Sequence, residues 1–200
     1  MRAFLGVYDK TGIAEFARGL LELGWDLVAT SGTQRVLAEA GVNSAHFSAI
    51  TGHAEILGGR VKTLHPAIHG GLLYRRGVPQ DEVDIAKYGC VPIDLVAASF
   101  YPFADIADDP AASPSAVLEN IDIGGPAMIR AAAKNYRWVV PIIDRHDYNS
   151  VLEGLRNAKG APEGVDQSIR RHLAEKVFEY TSRYDMIIAA YLGGSIAAPS

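Results

Sequence analysis

Apolar residues follow two rhythms along this chain. Ala3 to Val7 is an apolar run too short for a helix, and after Tyr8-Asp9-Lys10 a period near 3.6 takes over in Ile13, Phe16, Ala17, Leu20, Leu21 and Leu23. The pair predicts a strand and then a helix, with Gly24 ending the helix. Asp26 to Ala29 repeats the strand, and Thr30-Ser31-Gly32-Thr33 leads into a second helix marked by Val36, Leu37 and Ala40. A βαβα order of this kind predicts a parallel sheet covered by helices.

From about Val42 to Arg76 the periodicity dissolves into Gly, His and basic residues. A compact domain seldom tolerates an irregular stretch of roughly 30 residues without a use, and long loops are often functional. The pattern resumes with a helix near Glu82 to Tyr88, an apolar strand from Ile93 to Tyr101 and a short helix around Ser115 to Asn120. Gly124-Gly125-Pro126 opens a helix running to about Asn135, and Trp138 to Ile143 reads as the next strand. His146 to Asn157 is helical in pattern with Asp144 as its cap, and Lys159 to Gly164 is a turn. Ile169, Leu173, Val177, Tyr180, Tyr184, Ile187 and Tyr191 predict one long helix or two joined ones from Asp166 to Tyr191, before a loose tail of small residues, Gly193 to Ser200.

Composition narrows the class. With 200 residues, 48% of them hydrophobic and 21% charged, the chain holds material for one compact domain. A net charge of -4 supplies no basic field of the kind that drives nucleic-acid binding, although a nucleotide-sized ligand needs only a few local cations. The single cysteine, Cys90, excludes an intrachain disulfide and argues for a reducing compartment. The N-terminus lacks the apolar core and cleavage site of a signal peptide, and no apolar run reaches membrane-spanning length, so a cytoplasmic protein without a membrane partner is expected.

Several segments carry chemistry. The turns Tyr8-Asp9-Lys10-Thr11-Gly12 and Thr30-Ser31-Gly32-Thr33 fall at the C-terminal edge of the predicted sheet, where open α/β folds bind ligands. Free N–H groups at a helix start, hydroxyls and a lysine suit a phosphate; the same residues also serve as ordinary helix caps. In Gly58 to Pro66 (GGRVKTLHP), Arg60 and Lys62 share one side of an extended segment, either to hold one anionic centre or as a solvated basic loop. His65 and His69 are four apart, but Pro66 lies between them and HExxH is absent, so no metal is expected. Tyr101 ends the apolar strand at the ligand edge, facing substrate or anchoring the strand end. Asp122 lies between apolar neighbours ahead of a glycine-opened helix, and serves either a ligand or that helix terminus. Lys134 ends the same helix, where its charge is at ease with or without a catalytic part. It stands roughly 12 Å along the axis from Pro126, too far to touch Asp122.

Taken together, GRVKTLHP with HGG (Arg60 to Gly71), Tyr101-Pro102-Phe103, IDIGGPAMIRAAAKN (Ile121 to Asn135) and the amino-terminal YDKTG closely resemble the inosine monophosphate cyclohydrolase domain, over essentially the whole chain and in family order. In that family the domain forms the amino-terminal part of a bifunctional purine-biosynthesis protein that also carries a transformylase; residues 1–200 resemble the cyclohydrolase alone, as a single domain. The resemblance implies an α/β fold of three layers, α/β/α, with a mainly parallel sheet, like methylglyoxal synthase. It also implies closure of 5-formamido-1-(5-phospho-D-ribosyl)imidazole-4-carboxamide to inosine monophosphate with loss of water, no cofactor and no metal. By position, Lys62, Tyr101, Asp122 and Lys134 match the family's catalytic set. Tyr8, Asp9, Lys10, Thr30, Ser31, Gly32, Thr33, Arg60, Val61, Thr63, Ala98, Ser99, Ile123, Gly124 and Gly125 match its substrate contacts. A homodimer is implied, and a separate transformylase is a conceivable partner.

This sequence departs from the family in three places. Ser99 and Phe100 stand where an Asn precedes the Leu-Tyr-Pro-Phe run, Gly6-Val7-Tyr8 replaces Ser-Val-Ser, and Thr30-Ser31-Gly32 replaces Thr-Gly-Gly or Ser-Gly-Gly. These changes bear on affinity more than on reaction type. Two other functions on the same fold compete with ring closure: methylglyoxal synthase, against which GRVKTLHP and IDIGGP argue, and a nucleotide-sensing regulatory module without catalysis. A sensor has no need of the set Lys62, Tyr101, Asp122 and Lys134.

Overall fold

The computed structural model describes residues 1–194. Of the small-residue tail expected from Gly193 to Ser200, residues 195–200 lie outside the described residues. β1 (Arg2–Gly6) is followed by α1 (Ile13–Glu22), β2 (Asp26–Ala29) and α2 (Ser31–Glu39). Then come β3 (Ala45–His46), α3 (Ser48–Thr51), α4 (Pro66–Leu73), α5 (Pro79–Lys87) and β4 (Leu95–Ala98). The remainder is α6 (Phe103–Ala107), α7 (Pro114–Glu119), α8 (Gly124–Lys134), β5 (Val140–Ile142), α9 (Tyr148–Asn157) and α10 (Gln167–Leu192), with short 3-10 turns at Leu57–Gly59, Arg145–Asp147 and Pro162–Gly164.

The sheet has five strands in the order β3-β2-β1-β4-β5, and every pairing is parallel. Its layers are those of an α/β/α sandwich, because side chains alternate faces along each strand. Ala3 and Leu5 of β1, with Leu27, Ala29, Leu95 and Ala97, pack into one core with Phe16 and Leu20 of α1 and Val151 and Leu155 of α9. Phe4, Val28, Val96 and Ala98 point the other way, against Ile68 and Leu72 of α4, Met128 and Ile129 of α8 and Val177 of α10. β4 is buried at all four positions, which explains why its sequence reads as a continuous apolar run. Pro141 lies in β5, an edge strand where the missing N–H costs no ladder bond on the open side.

The stretch expected to be irregular between Val42 and Arg76 holds more order than its pattern announces: β3, α3 and all of α4 lie inside it. α4 escapes notice because Ala67, Ile68, Gly71 and Leu72 are buried together, so PAIHGGLL has no polar face to set a period. Local signals nonetheless start it, with Pro66 in its first turn and His65 Nδ1 accepting the Ala67 N–H at 3.1 Å. α6, after Pro102, is a further short helix that the pattern missed. α10 is a single helix, capped by Asp166, whose carboxylate accepts from Ser168 and Ile169 N–H at 2.8 and 2.9 Å.

Gly71 shows why the HGG run is glycine-rich. A β-carbon there would stand 2.0 Å from the Val91 carbonyl oxygen, so the glycine lets α4 press against the chain entering β4, where Ile93 N–H also donates to Gly71 O at 3.2 Å. Gly71→Ala is expected to lower unfolding free energy by about 1–3 kcal/mol through overpacking. Urea denaturation of the two proteins checks this, and equal midpoints would refute the close-packing account.

Candidate active site

The parallel sheet delivers the ends of β1, β2 and β4 to one edge, and a serine hydroxyl ties two of those ends together. Ser99 Oγ, just past β4, accepts N–H bonds from Tyr8 at 2.8 Å and Asp9 at 3.2 Å. Asp9 in turn accepts the Thr11 N–H at 2.9 Å and pairs with Arg145 at 3.3 Å, and its hydrogen bonds to Thr11, helped by that guanidinium, keep its carboxyl below the usual carboxylate range. Ala98 is buried in β4, opposite Gly6 in the ladder. The Lys10 ammonium folds back on the Val7 and Tyr8 carbonyls. Burial and then the like charge of Arg35 push Lys10 below the ordinary lysine range, with Asp9 opposing. Two cations meeting at a helix start make a pole that an anion relieves.

That helix is α2. Thr30 sits at its N-cap position without a capping side-chain bond, so the N–H groups of Ser31, Gly32 and Thr33 stand at the sheet edge as the unpaired donors of its first turn. Thr30 and Thr33 contact each other at 3.4 Å, and the buried Thr33 hydroxyl donates to Val7 O at 3.2 Å. The Ser31 hydroxyl meets His46 Nε2 at 3.0 Å. His46 Nδ1 in turn lies 2.8 Å from Ser48 Oγ and 3.3 Å from Ser48 N, so the ring is held from both nitrogens. The side chain that replaces a family glycine is therefore held in place by His46.

A second cluster forms where the 55–62 segment meets the opening of α8. Ile56 and Val61 form an antiparallel bridge that carries Arg60, Lys62 and Thr63 toward Gly124. Thr63 is buried, and a β-carbon on Gly124 would stand 2.8 Å from its Oγ1, so the first helix glycine makes room for the threonine. Asp122 Oδ1 accepts the Gly125 N–H at 2.9 Å. Burial pushes the Asp122 carboxyl above its ordinary range, against the Gly125 hydrogen bond and the attraction of Lys62. Asp122 thus serves the helix terminus within range of the Lys62 charge. Ile123 is exposed beside it. The two cations of this segment are already partnered, Arg60 by Glu119 of α7 and Lys62 by Glu55 at 3.8 Å.

Tyr101 is exposed, with its ring centroid 5.2 Å from that of Tyr8, so the two sheet-edge turns present adjoining aromatic faces. A cleft of about 610 Å³ opens beside them, lined by Tyr8, Asp9, Ser99, Arg145, Lys176 and Arg183. Lys134 stands elsewhere. α8 runs unbroken from Gly124 to Lys134, about 15 Å at helical rise. Lys134 is exposed in a groove of about 780 Å³ with His69, Arg130, Arg171 and Phe178. Burial lowers the His69 pKa against a hydrogen bond to the Thr63 backbone, and Nε2 of that ring has no partner among the described residues. The structure therefore gathers Lys62, Thr63, Asp122, Gly124 and Gly125, and separately Tyr8, Asp9, Ser99 and Tyr101, and leaves Lys134 at the far end of α8.

Tyr184 is the functional neighbour that sequence reasoning missed. Its spacing puts it in the apolar stripe of α10, and its ring does pack edge-on against Phe100 and Phe103. Its hydroxyl, however, accepts the Asp122 N–H at 2.8 Å and reaches Asn120 O at 3.4 Å, clamping the backbone on which the carboxylate sits. A tyrosine in place of leucine or phenylalanine within such a stripe was the only signal.

Residues 12–127 match the family described as MGS-like domain, and residues 132–199 match the AICARFT/IMPCHase bienzyme. The bifunctional purine biosynthesis protein PurH of Chloroflexus aurantiacus is 50% identical over 192 residues, which are 96% of this chain and 36% of that protein. PurH of Chlorobium chlorochromatii is 48% identical over 98% of this chain and 37% of its own length. The chain thus spans little more than a third of the curated relatives it matches. A solved structure described as the crystal structure of ForH is similar over 99% of both chains, with a TM-score of 0.89 and 40% identity.

Tyr184→Phe keeps the ring and deletes the clamp. It is expected to cost about 1–3 kcal/mol, because the Asp122 N–H loses its acceptor in a partly buried place. Urea denaturation measures this, and wild-type stability in the variant would show the clamp to be idle.

Proposed function

We propose that this chain, which belongs to the MGS-like domain family, closes the purine ring, converting 5-formamido-1-(5-phospho-D-ribosyl)imidazole-4-carboxamide to inosine monophosphate and water. The observation that carries the proposal is the meeting of the segment bearing Lys62 with the opening of α8, where buried Thr63 packs over Gly124 and the half-buried Asp122 carboxylate accepts the Gly125 N–H. The likeness to bifunctional purine biosynthesis proteins along nearly the whole chain supports it.

In this scheme the 5′-phosphate lies on the sheet-edge turns, received by the first-turn N–H groups of Ser31, Gly32 and Thr33, the Ser31 hydroxyl and the Lys10 charge. The base extends across Ala98 and Ser99 toward Tyr101 and the second cluster, with Arg60, Val61, Thr63, Ile123, Gly124 and Gly125 forming the wall. Ring closure joins the carboxamide nitrogen to the formyl carbon. Holding the two groups coplanar and in contact supplies much of the rate, since the reaction is intramolecular. Negative charge builds on the formyl oxygen as the C–N bond forms, and Lys62, with Tyr101 assisting, stabilises it. Asp122 takes a proton from the carboxamide nitrogen and returns it to the oxyanion, giving a hydroxyl on the new ring carbon. The C–O bond then breaks, the hydroxyl leaves as water with the proton given up by the formamido nitrogen, and the ring C=N bond forms. Lys134, about 15 Å along α8 from Gly124, is out of hydrogen-bond reach of these atoms and is given no step in the scheme.

Residues 1–200 act as one cyclohydrolase domain in this reading, in the cytoplasm, without cofactor or metal. A homodimer is the proposed assembly, and a separate transformylase acting on the purine precursor is the proposed partner.

An ultraviolet assay of the purified protein with the formamido ribotide tests the proposal, since ring closure changes the absorbance. Folded protein that binds inosine monophosphate but leaves the ribotide unchanged would favour a nucleotide sensor. Lys62→Ala and Asp122→Asn are each expected to lower kcat by about 10²-fold or more. The acid limb of the kcat profile should lie above the ordinary aspartate value of 3.8, because Asp122 must be ionised to act and burial raises its pKa. Turnover therefore falls as pH drops through that raised value, and the limb should vanish in Asp122→Asn.

A further inference from the structure

Lys62 is held by a device that none of its proposed roles includes. Ile56 and Val61 exchange backbone hydrogen bonds at 3.0 and 3.4 Å, closed by a turn in which Leu57, Gly58 and Gly59 all take left-handed φ values of 53, 64 and 94°. In an antiparallel ladder the pair flanking such a bridge faces across on one side, and here that pair is Glu55 and Lys62. Glu55 Oε2 lies 3.8 Å from Lys62 Nζ. A β-carbon at Gly59 would stand 3.7 Å from the Glu55 carboxyl and 3.7 Å from Lys62 Nζ, so the ion pair rests over the bare backbone of the turn. Asp122 attracts the same ammonium from the α8 side.

We infer that Glu55 is a positioning residue for Lys62, holding its ammonium on the hairpin side so that neither Lys62 nor Asp122 is consumed by the other. A lysine head on a flexible four-carbon stem moves toward an anion in reach, and with Glu55 neutral the pull of Asp122 is left unopposed. A closed Lys62–Asp122 pair engages the oxyanion donor with the proton acceptor, and both are then lost to the substrate. An exposed ion pair at this distance adds little to fold stability, so its effect falls on the geometry of the reacting groups. The inference rests on the proposed ring closure.

The test is steady-state turnover of the formamido ribotide by five forms of the chain: parent, Glu55→Gln, Glu55→Asp, Lys62→Ala and the Glu55→Gln/Lys62→Ala double variant, each with its denaturation midpoint. Glu55→Gln should lower kcat about tenfold with KM within about twofold, because the phosphate contacts lie at the other end of the site. Its denaturation midpoint should not move, and Glu55→Asp, which keeps the charge, should recover part of the lost kcat. On the Lys62→Ala background, Glu55→Gln should have no further effect. The inference is overturned alone if Glu55→Gln keeps the parental kcat while Lys62→Ala is impaired. It is also overturned if Glu55→Gln costs the same factor with Lys62 absent, or if the loss appears in KM and the midpoint. A parent protein that never converts the ribotide overturns the proposed function, and the inference with it.

Discussion

A parallel sheet leaves no face for water, and the rest of this molecule is arranged around that constraint. β1 is the middle of five strands, with Phe4 committed to one core and Ala3 and Leu5 to the other. Covering both faces requires a crossover between successive strands, and parallel crossovers start every return from the same edge. The strand ends therefore share one rim. Chemistry at that rim comes from the loops, and the sheet sets only where they begin.

Two hydroxyls convert the rim into a defined surface. Ser99 draws the β1 and β4 turns together by taking two N–H groups at once, and Tyr184 ties the α8 opening to the long final helix. Each replaces water as the partner of a backbone donor, so the loops near the proposed substrate are held by hydrogen bonds that the core alone could not supply. The Arg60–Glu119 and Lys62–Glu55 pairs set where the charged side chains of the intervening segment lie. Charge is distributed unevenly as a result. The cations of the 58–71 segment are matched by carboxylates, whereas Lys10 and Arg35 repel each other beside the uncapped start of α2. An anion is most welcome at that second place.

Much of the fold was legible in local patterns. Strands β1, β2, β4 and β5 and helices α1, α2, α8, α9 and α10 follow from apolar rhythm and capping residues within a few positions. What escaped were elements whose burial erased the rhythm. α4 is covered on several sides and has no polar face to betray it, and α6 is too short to show a period. The motifs GRVKTLHP and IDIGGP marked the segments that meet at Thr63 and Gly124, but not that the meeting depends on glycine beneath a threonine. Nor did spacing reveal that Tyr184, 62 residues from Asp122, belongs to the same constellation, since a tyrosine in a helical stripe looks like any other core residue.

By itself the sequence determined the kind of protein: a βα order that demands a parallel sheet, glycine and hydroxyl turns at strand ends, and a set of ionisable residues in family order. These are local properties, carried by periodicity and by residue type. Which of those residues share a site was decided only by the tertiary structure. It brought the segment of Lys62 against that of Asp122 where Thr63 meets Gly124, placed Glu55 across a hairpin from Lys62, and left Lys134 in a groove at the far end of α8. Contacts between residues far apart in the chain depend on how buried surfaces pack and how backbone donors find acceptors, and one-dimensional spacing does not encode either.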